Sequence, residues 1–135
     1  MTRTVLLAFA CFALSVAPAL AARIYNLTPL PIEVKGLIGG ESIGLAAGAR
    51  SASLSWSAKR VYVLDEHGKQ ICDVDFGWRS EVVAGHYLLV TNYGTRVNCQ
   101  LCDADGKRMY GGTGSFGPYW ASMLETKKSE KQGCP

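Results

Sequence analysis

The chain has 135 residues, with 14 Lys or Arg against 11 Asp or Glu, and 48% of it is hydrophobic. That length suits one domain, large enough to bury a core without metals. Charge this balanced, with no basic stripe interleaved with aromatics, excludes nucleic acid as the partner.

The first 21 residues read as a secretory signal peptide. Arg3 precedes an apolar run from Val5 to Val16, Pro18 breaks the run, and Ala19-Leu20-Ala21 supplies small residues for cleavage after Ala21. The run is too short to span the roughly 30 Å of bilayer hydrocarbon, so no transmembrane segment is expected once the signal is removed. Phe9 stands where a lipoprotein site needs a small residue, which sets Cys11 aside. Removing 21 of 135 residues leaves 114, and four cysteines enter an oxidising compartment, periplasm or medium.

The mature chain opens with a strand over Arg23–Leu27, interrupted by Thr28-Pro-Leu-Pro31. Asn26-Leu-Thr28 is a glycosylation acceptor if the host is eukaryotic. Ile32 and Val34 resume with period two, and Gly36 with Gly39-Gly40 marks a bend. Ile43 and Leu45 lead to a turn at Gly48. From Arg50 to Trp56, Ala52, Leu54 and Trp56 alternate with Ser51, Ser53 and Ser55, a pattern that predicts a strand with the serines on its wet face.

Val61–Cys72 reads as a β-hairpin whose turn is Asp65-x-x-Gly68-Lys69. A relative of it returns as Cys99–Tyr110, with Asp103 and Gly106 each 38 positions on. Leu45-Ala-Ala-Gly48 and Val83-Ala-Gly85 lie 37 apart, which extends the duplication. On the first return limb Cys72, Val74 and Phe76 face the core, with Asp73 and Asp75 on the wet side. Gly77-Trp78-Arg79-Ser80 is a loop, and Val82-Val83 leads into a strand over His86–Asn92. Tyr93-Gly94 turns the chain, and Val97, Cys99 and Leu101 share the core face of the next strand. Gly111–Gly117 reads as a flexible loop. Pro118 starts a short helix carrying Tyr119, Trp120, Met123 and Leu124, and the polar tail beyond it is expected to fray.

These segments predict an all-β fold, a small antiparallel sandwich or barrel of about ten short strands built from two similar β-units, with a short C-terminal helix. The domain plan is a signal peptide over 1–21, a β-domain over 22–118, and a helix and tail over 119–135.

Cys99-Gln-Leu-Cys102 admits three readings. A redox pair needs its first cysteine at a helix N-terminus, whereas here a strand leads to a turn. A zinc site would have to recruit the isolated Cys72 and Cys134. On an extended strand Cys99 and Cys102 point to opposite faces, with Cα atoms roughly 10 Å apart, too far to bond each other. Geometry therefore favours Cys72–Cys99 across the core, and Cys102 on the outer face joined to Cys134 of the tail.

Little else carries chemistry. His67 lies in a turn and His86 at a strand start, with no recognisable nucleophile. Asp103-Ala-Asp-Gly106 begins like a calcium loop, but Lys107 places a cation where an oxygen ligand is required. Gly112-x-Gly114-x-x-Gly117 matches a dinucleotide fingerprint without the βαβ unit that gives it meaning. No enzyme activity, metal or cofactor is expected. Aromatic and Arg residues near loops, Trp78, Arg79, Tyr93 and Trp120, are the candidate binding residues.

The reading is a secreted or periplasmic, disulfide-stabilised β-domain that binds a macromolecule, a protein or an envelope component. An inhibitor or envelope accessory protein would be of this kind. The alternatives are a thiol-redox or zinc protein centred on Cys99 and Cys102, and a structural subunit that assembles through sheet edges.

Overall fold

The computed structural model describes residues 21–36, 42–52, 54–55, 60–75 and 86–134. They form β1 (Ala21–Asn26), β2 (Ile32–Lys35), β3 (Ile43–Leu45), β4 (Leu54–Ser55), β5 (Arg60–Asp65), β6 (Gln70–Asp75), β7 (Tyr87–Tyr93), β8 (Arg96–Cys102) and β9 (Arg108–Ser115). A 3-10 turn over Pro118–Trp120 then runs into the short helix α1 (Ala121–Leu124). The strands make two sheets, ordered β4-β1-β7-β8-β9 and β3-β2-β5-β6.

Strand formation follows period-two patterning. Val97, Cys99 and Leu101 of β8 are fully buried, while the alternate residues Arg96, Asn98 and Gln100 reach solvent. Ile32 and Val34 of β2, Val61 and Val63 of β5, and Cys72 and Val74 of β6 are buried in the same way. Together with Ile24, Leu88, Val90, Phe116 and Leu124 they form one core to which both sheets contribute. Burying each large aliphatic side chain contributes about 1.5–3 kcal/mol.

The two hairpins repeat one another down to their hydrogen bonds. In β5–β6, Asp65 Oδ1 accepts from the backbone N–H groups of His67 and Lys69, each at 2.9 Å. In β8–β9, Asp103 Oδ1 accepts from those of Asp105 at 3.0 Å and Lys107 at 2.7 Å. Each turn is closed by a glycine of positive φ, Gly68 at 80° and Gly106 at 86°, where a side chain would be strained. The registers also shift at matching places, Val63/Leu64 in one hairpin and Leu101/Cys102 in the other. On the solvent side of the first hairpin, Asp73 and Asp75 pair with Arg60 at 3.4 and 2.7 Å.

Four expectations are corrected. First, the sheets are not wholly antiparallel. β1 pairs with β7 in parallel, Ile24 opposite Leu88 and Asn26 opposite Val90. A parallel pair needs a long crossover, and here β2, β3, β5 and β6 of the other sheet, with β4 of this one, lie between β1 and β7. Second, the segment from Arg50 does not run as a continuous strand. Arg50 makes a single bridge to Tyr25, and pairing resumes only at Leu54–Ser55. Ser51 is buried rather than wet, its hydroxyl accepting from Ile24 N–H at 2.8 Å and donating to Ala52 O at 2.7 Å. Trp56 and Phe76 lie outside the described residues.

Third, most of the glycine-rich segment is a strand. Its glycines do not confer freedom; they permit contact. Gly112 pairs with Cys99 and Gly114 with Val97, so both turn the same way as those inward residues. A Cβ on Gly112 would occupy the space of the Asp73 carbonyl oxygen, and one on Gly114 that of Ile71. β9 therefore lies backbone-on-backbone against β6, a use of strand glycine that removes side chains where another chain segment must approach. Fourth, Asn26 is not a glycosylation acceptor in the folded chain. It is fully buried, and its amide donates to the carbonyls of Leu30 and Ala46 at 2.8 and 3.0 Å.

Gly112→Ala should destabilise the fold by about 1–3 kcal/mol, because the added methyl meets unyielding backbone. Gly117→Ala should change stability by less than about 0.5 kcal/mol, since its Cβ would meet only the flexible Lys69 side chain at 3.4 Å. Denaturant midpoints of the two variants check the contrast, and equal losses would refute the contact.

Candidate functional site

The structure separates the two CxxC cysteines. Cys99, in the core, is bonded to Cys72 with their Cα atoms 6.2 Å apart, and Cys102 is bonded to Cys134 at 5.8 Å. These bonds close spans of 27 and 32 residues, and each stabilises by about 3 to 4 kcal/mol in the chain-entropy picture. No dithiol remains at this position. Among the described residues, no group of three or more His, Cys, Asp or Glu gathers as a metal site.

Cys102 lies opposite Tyr87 on the outer side of the sheet, as its register requires, but it is not exposed. The reason is the tail, which does not fray. Asn92 is fully buried and gathers it: its Nδ2 donates to Lys127 O at 3.2 Å and to Gly94 O at 2.9 Å. Ser129 Oγ accepts from Asn92 N–H at 3.0 Å and lies 2.7 Å from Leu27 O. Further on, Gln132 Nε2 donates to Asn92 O at 2.8 Å, and Cys134 N–H donates to Gln100 Oε1 at 3.0 Å. The Cys102–Cys134 bond then fastens the end. Residues 127–134 thus form a strap along the outer face of the first sheet.

Between this strap and the β1–β7 pair lies a groove of about 490 Å³. Its floor is Tyr25, Leu27, Tyr87 and Leu89, with Gly48 on one bank and Glu130 and Lys131 on the other. The two tyrosine rings meet edge to face, centroids 5.6 Å apart. Burial, with smaller contributions from Tyr25 and Asp103, holds the Tyr87 phenol above its ordinary pKa. A second depression of about 520 Å³ adjoins it through Leu27 and Gly48, and is flanked by Lys127 and Lys128.

The expected binding residues are dispersed around this face and beyond it. Tyr93 is 61% exposed at the end of β7, where Lys128 Nζ sits 5.6 Å from its ring centroid. Trp120 packs partly against the core, stacked on His67 at 5.6 Å and edge-on to the exposed Tyr119 at 4.9 Å. Its Nε1–H is shielded and has no acceptor among the described residues. Trp78 and Arg79 lie outside the described residues. Sequence reasoning missed the tyrosine pair and the strap lysines as one surface. The available signal was an apolar residue at successive outward positions, Tyr25 and Leu27 in one segment, Tyr87 and Leu89 in another.

Because the folded state favours the neutral Tyr87 phenol, stability is fully present below the unfolded pKa of about 10 and falls as pH rises through the higher folded value. Tyr87→Phe should therefore flatten the alkaline loss of thermal midpoint relative to the parent. Parallel curves above about pH 10 would refute the assignment.

No protein-family model, curated protein or solved structure matches this chain.

Proposed function

We propose that this chain is an exported, disulfide-stabilised β-sandwich that binds a macromolecule in the periplasm or medium and performs no catalysis itself. An inhibitor or an envelope accessory protein fits this description. One observation carries the reading: the outer face of the first sheet keeps two half-buried tyrosines and two leucines in an open groove. The strap that forms one bank of this groove is fixed by a disulfide. Tyrosines held in a rigid setting supply large amphipathic contact area at low entropic cost, which is how binding hot spots are composed.

Export is supported by the cysteine chemistry. All four cysteines after residue 21 are in disulfides, which persist in oxidising compartments. No helix among the described residues is long and apolar enough to cross a membrane.

Two measurements test the proposal. Exported protein alkylated without reduction should take up no label, and after reduction four, with peptide mapping joining Cys72 to Cys99 and Cys102 to Cys134. Labels on Cys99 and Cys102 before reduction would return the CxxC to consideration as a redox or metal site. Immobilised protein exposed to an envelope extract should retain a partner that the double variant Tyr25→Ala, Tyr93→Ala loses by about tenfold or more, the scale of one or two hot-spot residues. An identical retained set for parent and variant would overturn the binding assignment at this face.

A further inference from the structure

The two adjoining depressions differ in charge. At the tyrosine end the bank carries one carboxylate and one ammonium, Glu130 and Lys131, over an apolar floor. At the other end the bank carries Lys127 and Lys128, and no carboxylate lines it among the described residues. All four of these strap residues are exposed. Their carriers are held from below: Lys127 O accepts from Gly94 N–H at 2.9 Å, and Lys128 bridges to Tyr93 within the sheet pattern. The lysines are therefore presented from a fixed backbone and not from a free tail.

Shape narrows the occupant. Two open depressions sharing Leu27 and Gly48 make a trough, not an enclosed cavity, and a trough suits an extended chain that lays successive side chains along it. Polarity sets its direction. An apolar side chain belongs between Tyr25 and Tyr87, where the charges balance. Carboxylates belong beside Lys127 and Lys128, where they are attracted and no carboxylate among the described residues lines the depression. Resting on the binding function proposed above, we infer that the groove docks an extended acidic segment of a partner protein, with an apolar anchor seated on Tyr25 and Tyr87 and its carboxylates over Lys127 and Lys128. Attraction of this kind between exposed groups is screened by salt, so the interaction weakens as ionic strength rises.

The test uses the exported, oxidised protein and a fluorescein-labelled peptide of one phenylalanine followed by three aspartates, read by fluorescence anisotropy. Replacing the phenylalanine by serine, or the aspartates by lysines, should each weaken binding by about tenfold or more. Lys127→Glu with Lys128→Glu should reverse the preference, so that the lysine peptide binds more tightly than the aspartate peptide. Tyr25→Ala should make the phenylalanine and serine peptides equal. Unchanged thermal midpoints show that these variants fold.

Absence of binding by the aspartate peptide, or binding indifferent to both sets of substitutions, overturns the inference. If in that case the envelope partner is still lost by Tyr25→Ala, Tyr93→Ala, the binding function survives and only the partner chemistry is wrong. If the envelope partner is also indifferent, both fail. Binding to phosphatidylglycerol vesicles that depends on Lys127 and Lys128, without peptide binding, would instead assign the face to an anionic membrane surface and overturn the peptide.

Discussion

Everything in this fold is arranged around a place where two backbones touch. β9 runs over β6 with the Ile71 and Asp73 carbonyl oxygens where the Cβ atoms of Gly114 and Gly112 would stand. The contact joins the edge strand of one sheet to the edge strand of the other. It also brings β8, the neighbour of β9, close enough for Cys99 to reach Cys72. Close approach also serves the edges themselves, because a strand edge left open is a template for pairing with other chains.

From this join the outer face follows. Fixing β8 and β9 fixes the sheet that carries β7 and β1, and Asn92 at the end of β7 becomes a buried anchor. Its side chain and backbone together hold Lys127, Ser129 and Gln132. A buried amide with its partners satisfied is strongly directional, since leaving any of them unmade costs the full desolvation of that group. The strap is therefore placed by polar groups and not by apolar packing. It can cover Cys102 while leaving the neighbouring tyrosines open, and this gives the domain a groove with one polar, basic bank.

Legibility in the sequence divides along the same line. Strand positions and the inward rows of Val61, Val63, Cys72, Val97 and Cys99 could be read because side chains alternate, and alternation is what a half-buried strand writes into a sequence. The two Asp-x-x-Gly turns could be read because their chemistry is local. Three features could not. β9 carries glycines at its inward positions, and a glycine writes no periodicity, so the segment looked like a loop. The tail is fixed by Asn92, 37 residues before Ser129, a pairing that no local pattern reveals. The groove is made from Tyr25 and Leu27, in β1 and just after it, and from Tyr87 and Leu89 of β7, outward residues as apolar as their inward neighbours, so alternation did not mark this part of the face as wet.

The duplication explains why the second hairpin had to become glycine-rich. At the 38-residue offset, Cys72 corresponds to Tyr110 and Val74 to Gly112, while Val61 corresponds to Cys99. Two identical units packed return limb to return limb would set Val74 against its own counterpart, in a space the backbones already fill. Interiors at crystal-like density have no room for both. One copy must give up its inward side chains. The second does so at Gly112 and Gly114, the places of Val74 and Phe76 in the first, and keeps Tyr110 where the first has Cys72. The cysteine pair follows the same asymmetry, with Cys72 on the return limb of one unit and Cys99 on the outgoing limb of the other. The bond between Cys102 and its strap partner Cys134 has no counterpart in the first unit, where Leu64 holds the matching place.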